Sequence, residues 1–160
     1  MAESPAFELI GPDATVAAGH SLGEALARVS PATFVIFLEG PLGAGKTTFA
    51  RGVLGGLGHR ERVPSPTYTL VEPYDLAAVR VIHIDLYRVR DPRELDDLVL
   101  PELLGESTYA LIEWPDHGVG HLPAADLIVR LELSPQGRRI RVNPLTRPAR
   151  MVASALQMPR

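Results

Sequence analysis

Apolar positions follow two rhythms along this chain. An unbroken apolar run of strand length occurs at residues 34–38, which suits a strand covered on both faces, and residues 108–114 are a second buried-strand candidate. Residues 14–29 instead repeat Val16, His20, Leu22, Leu26 and Val29 at helical spacing before Ser30-Pro31 stops the pattern. A second helix is expected from Thr47 to about Leu57, ended by Gly55-Gly56-Leu57-Gly58. Residues 67–72 and 79–89 predict an antiparallel hairpin around residues 74–78, and residues 126–133 and 138–143 predict another around Ser134-Pro135-Gln136-Gly137. Asp91-Pro92-Arg93-Glu94 joins a capping Asp, a Pro at the first helical position and a Glu three residues after the cap. That combination predicts a short helix to Leu98, limited by Pro101. Residues 7–11 read as a short strand and Gly11-Pro12-Asp13 as a turn. Residues 144–160 hold little apolar content before Met151 and read as a mobile tail, with a short helix from residue 148 as the other reading, leaving 1–143 as a single domain.

Composition narrows the chemistry. The 160 residues suffice for one core without staples, and the absence of cysteine removes thiol catalysis, Cys-ligated zinc and iron–sulfur chemistry. No apolar run approaches the roughly 18 residues of a membrane span, so a cytoplasmic protein with no membrane partner is expected. A net charge of −3 leaves no overall nucleic-acid footprint, so any RNA would be met through a local patch or a partner. Lys46 is the only lysine among 16 basic residues. The others are all Arg.

That lysine lies in Gly40-Pro41-Leu42-Gly43-Ala44-Gly45-Lys46-Thr47, which satisfies G-x-x-x-x-G-K-[ST] between an expected strand and an expected helix. The glycines let backbone N–H groups converge on phosphate oxygens, and the helix start turns its positive dipole end toward the same charge. Lys46 supplies a compact ammonium for the outer phosphates, and Thr47 a hydroxyl for Mg²⁺. The order of elements predicts an α/β fold of the P-loop type in three layers, a parallel sheet core with antiparallel hairpin strands added.

Phosphoryl transfer also needs carboxylates to hold the metal and orient the attacking group. Two apolar strands end in them, Val81-Ile82-His83-Ile84-Asp85 and Tyr109-Ala110-Leu111-Ile112-Glu113. In a parallel sheet both ends share the edge that carries the phosphate loop, so Asp85 and Glu113 are expected beside Thr47. Spacing leaves open which of them holds the metal. Ser65-Pro66-Thr67 occupies the place of a γ-phosphate-sensing switch, although spacing alone favours an ordinary turn. His117 and His121 are separated by glycines, which argues for a loop and against a metal-binding helix. His83 reads as a strand residue, and Arg88 as one candidate phosphate contact among Arg51, Arg88 and Arg93.

Four blocks occur in order: residues 40–48, Ser65-Pro66-Thr67-Tyr68-Thr69-Leu70-Val71-Glu72, His83-Ile84-Asp85-Leu86-Tyr87-Arg88 and Glu113-Trp114-Pro115. Together they make the chain similar to the bacterial TsaE family, also called YjeE, over residues 14–143. The second and third blocks are more discriminating than the phosphate loop. The resemblance implies an ATPase of tRNA threonylcarbamoyladenosine biosynthesis that joins the TsaD and TsaB proteins and supports repeated cycles of threonylcarbamoyl transfer. Contact with tRNA would be indirect. It further implies ATP contacts from Gly40, Leu42, Gly43, Ala44, Gly45, Lys46, Thr47 and Thr48, and Mg²⁺ at Thr47 with Glu113. Asp85 would then serve hydrolysis, with Thr67 in a switch-like segment and Trp114 beside the site. Pro41 stands where the family commonly has Asp; since the backbone at 41 shapes the loop, altered stiffness is expected and not lost binding. Two other readings of the phosphate loop are a small-molecule kinase, for which no acceptor lid is apparent, and a nucleotide-binding interaction module that does not hydrolyse.

Overall fold

The computed structural model describes residues 4–64 and 69–158. Seven strands form one sheet: β1 (Ala6–Leu9), β2 (Thr33–Glu39), β3 (Val71–Asp75), β4 (Arg80–Asp85), β5 (Thr108–Glu113), β6 (Leu127–Ser134) and β7 (Gly137–Pro144). Their order across the sheet is β1-β7-β6-β2-β5-β4-β3. The four central strands β6, β2, β5 and β4 run parallel, while β3, β7 and β1 are antiparallel additions at the two edges. This is the expected α/β sheet with hairpin strands joined to a parallel core.

The apolar run at 34–38 explains the layering. Alternate side chains of a strand point to opposite faces, so Phe34, Ile36 and Leu38 enter one core while Val35 enters another. The first core is roofed by α1 (Pro12–Val29), α2 (Lys46–Gly56) and α4 (Arg147–Ser154). The second is closed by α3 (Leu100–Leu103) and a 3₁₀ helix at Pro92–Leu98, through Leu95 and Leu100. Both cores reach the parallel strands that carry the acidic residues. No described helix is long and apolar enough to cross a membrane.

Several expectations change in detail. Pro12 opens α1 instead of sitting in a turn, since its fixed φ suits the first helical position and its missing N–H has no intrahelical partner to lose. The same logic places Pro101 in the first turn of α3. The Asp91 cap is present, its Oδ1 accepting from the Arg93 N–H at 3.0 Å, but the helix it starts is 3₁₀. Of the two readings of the C-terminal segment, the short helix from about residue 148 is the one found, and it is docked: Thr146 caps α4, Ala149 and Val152 are buried, and Arg28 donates to the Ala155 carbonyl at 3.0 Å. Ala155, Leu156 and Met158 pack against the same core beside Ala149 and Val152.

Candidate functional site

The turn from β2 into α2 builds the phosphate loop. Gly45, at φ +100, takes the left-handed conformation that lets the loop swing directly into the helix. Lys46 is thereby the first residue of α2 and is only 4% exposed. Its ammonium donates to the carbonyls of Gly40 at 2.5 Å and Pro41 at 2.9 Å, and lies 4.0 Å from the centre of the Trp114 ring. The Pro41 carbonyl also accepts from the Ala44 N–H at 3.1 Å, so residue 41 shapes this turn through its backbone. Burial pulls the Lys46 pKa below its usual value, against the opposing pull of Glu113, Asp85 and Asp116.

Strand register brings the carboxylates to the same edge. Glu113, at the end of β5, lies opposite Leu38 of β2 on one side and Asp85 of β4 on the other. The Thr47 hydroxyl is 3.0 and 3.1 Å from the two oxygens of Glu113, both within reach of its proton. Asp85 accepts from the Tyr87 N–H at 2.9 Å, and both carboxylates are nearly buried. Beyond Glu113, Trp114 turns left-handed (φ 57) into a 3₁₀ helix at Pro115–Gly118, which lays its ring between Lys46, Tyr87 and His117.

Lys46, Thr47, Thr48, Asp85 and Glu113 line one cleft of about 510 Å³, together with Leu42, Gly43, Gly45 and Trp114. Two of the expected nucleotide contacts stand apart from its wall. Ala44 is fully buried, and Gly40 borders a neighbouring depression with Glu39 and Arg130. Thr67 lies outside the described residues. Arg88 is exposed away from the cleft, and Arg93 is held by Asp91 at 2.6 Å. The histidines after Trp114 bond to the fold, His117 to the Leu86 carbonyl and His121 to Asp96, each at 2.8 Å.

Sequence reasoning missed three groups. The start of α1 supplies Gly11, Pro12 and the buried Thr15 to the opposite wall, and Arg138 at the start of β7 donates to the Gly43 carbonyl at 2.9 Å. Both come from sequence-distant elements that only the sheet order brings together. His83 is fully buried and bonds Glu113 Oε2 at 2.6 Å. Its signal was a lone polar ring in an otherwise apolar strand.

The family model described as "Threonylcarbamoyl adenosine biosynthesis protein TsaE" matches residues 13–140. A Haemophilus influenzae tRNA threonylcarbamoyladenosine biosynthesis protein TsaE is 42% identical over 76% of this chain and 77% of its own length. The Mycobacterium leprae protein of the same name is 40% identical over 74% and 76%. Among solved structures, that of Bacillus subtilis YdiB superposes with a TM-score of 0.76 at 27% identity, covering 96% of this chain and 94% of the other. With its phosphate-loop cleft and these relatives, the chain belongs to the TsaE family of threonylcarbamoyl adenosine biosynthesis proteins.

Proposed function

We propose that the chain is a Mg²⁺-dependent ATPase of tRNA threonylcarbamoyladenosine biosynthesis, working in the cytoplasm with the TsaD and TsaB proteins. One observation carries the chemistry: Thr47 and Glu113 meet beside Lys46 at the N-terminus of α2, within a cleft that Asp85 also lines. The donor set suits magnesium, because a hydroxyl and carboxylates are hard oxygen ligands, and Mg²⁺ ordinarily takes one or two carboxylates plus phosphate oxygens. Bound there, the ion would neutralise charge on the transferring phosphoryl group.

The chain's own groups divide the remaining work. Backbone N–H groups of the loop and the first turn of α2 hold the phosphates, and Lys46 adds its ammonium. Asp85 orients a water and accepts its proton; Glu113 and Thr47 hold the metal. Trp114, packed over Lys46, restricts where that ammonium can go. Arg138 and the start of α1 line the same cleft, where the rest of the nucleotide would be held. The pathway rests on the family relationship and the names of the relatives, and the partners on the resemblance to the family alone.

The test is ATP hydrolysis by the purified chain, alone and with TsaD and TsaB from the same source. Stimulation by the partners that Lys46→Ala lacks is the expected result. Turnover unaffected by both the partners and the substitution would overturn the proposal. ATP-dependent phosphorylation of a nucleoside or sugar would favour the kinase reading instead.

A further inference from the structure

We infer that His83 is a positioning residue for Glu113, fixing the orientation in which that carboxylate meets Thr47 and thereby setting the site's affinity for Mg²⁺. The inference rests on the nucleotide-site reading above. Register pairs Asp85 with Glu113 and His83 with Leu111, so His83 sits one layer inside the sheet, beneath the two carboxylates. It is 0% exposed, and its Nε2 is 2.6 Å from Glu113 Oε2. Against a carboxylate oxygen, which only accepts, the ring nitrogen is the donor.

The other ring nitrogen identifies what the histidine is for. Nδ1 is buried with no hydrogen-bond partner among the described residues, and leaving such a group unpaired costs about 1–3 kcal/mol. Packing alone gives no reason to accept that cost, since the neighbours on the same face, Val81 and Leu111, are apolar and fully buried. The compensating contact is the one to Glu113. A glutamate has three rotatable side-chain bonds; with His83 behind Oε2 and Thr47 in front, its carboxylate is held from both sides. Hydrogen-bond partners behind metal-ligating groups act in this way, and losing one typically costs about 10–100-fold in metal affinity or activity.

The experiment titrates Mg²⁺ into the full chain at fixed ADP and reads the fluorescence of Trp114, the sole tryptophan, which packs against Lys46. His83→Leu removes the donor, whereas His83→Gln offers an amide nitrogen near the position of Nε2. His83→Leu is expected to raise the half-saturating Mg²⁺ concentration about 10-fold or more. Its ADP affinity in EDTA and its melting temperature should not fall, and His83→Gln should return the Mg²⁺ dependence toward wild type. A wild-type Mg²⁺ dependence in His83→Leu, or equal shifts in both variants, would overturn the inference. Should His83→Leu fail to fold, His83→Asn, too short to reach Oε2, takes its place with the same expected result. Wild-type binding of ADP without any Mg²⁺ dependence overturns the inference alone; no binding at all overturns the nucleotide-site reading with it.

Discussion

Asp85 and Glu113 are neighbours across two parallel strands, yet their surroundings differ. Glu113 has both oxygens occupied by Thr47 and His83, which suits a fixed ligand. Asp85 accepts from the Tyr87 N–H and lines the cleft, in keeping with the proposed role of meeting a water there. On the proposed role, Asp85→Asn removes the proton acceptor and preserves the shape, so kcat should drop about 10²–10⁴-fold with ATP affinity nearly unchanged. Measuring both constants checks this, and parallel losses would make Asp85 structural. At this scale Lys46, Thr47, Asp85 and Glu113 were legible in the sequence because a loop motif and strand ends carry them. Thr15, Arg138 and His83 were not, since each reaches the cleft or Glu113 only through elements remote in sequence.

Among the elements, the contact between α1 and α2 has the least slack. A Cβ on Gly52 would lie 2.2 Å from the Val16 carbonyl oxygen, and one on Gly19 would lie 2.2 Å from that of Phe49. Gly55, on the same helix, would meet only His20 Nδ1, at 3.5 Å. Gly52→Ala should therefore destabilise the fold by about 1–3 kcal/mol, because backbone must move to admit the methyl. Gly55→Ala should be neutral or stabilise by up to about 1 kcal/mol through helix propensity. Thermal or urea unfolding of the two variants reads the contrast directly; equal effects would mean that the close approach is not what fixes these glycines. Because α1 begins at the cleft and α2 begins with Lys46, this contact also ties together the two walls of the site. Helix and strand identities were readable from periodicity. Glycines in the helices lower helix propensity, and their close packing has no periodic signature that distinguishes them from weak spots.

For the molecule as a whole, one sheet edge gathers everything. β2, β5 and β4 run parallel, so the phosphate loop, Glu113 and Asp85 emerge side by side, as expected for parallel strands. The antiparallel strands extend that edge rather than merely shielding the sheet, because β7 begins with Gly137 and Arg138 at the cleft wall. α4 then packs against α1, which makes the C-terminal segment part of the same layer as the helix that frames the site. Sequence could place the chemistry on strands and loops but not order the strands, and the order decides that β7 and α1 face the phosphate loop. The most direct test is calorimetric titration of ATP into the full chain with and without Mg²⁺. Saturable one-site binding that tightens with Mg²⁺ and is lost in Lys46→Ala is the predicted result. ATP binding that ignores both the metal and the substitution would contradict the assignment of this cleft.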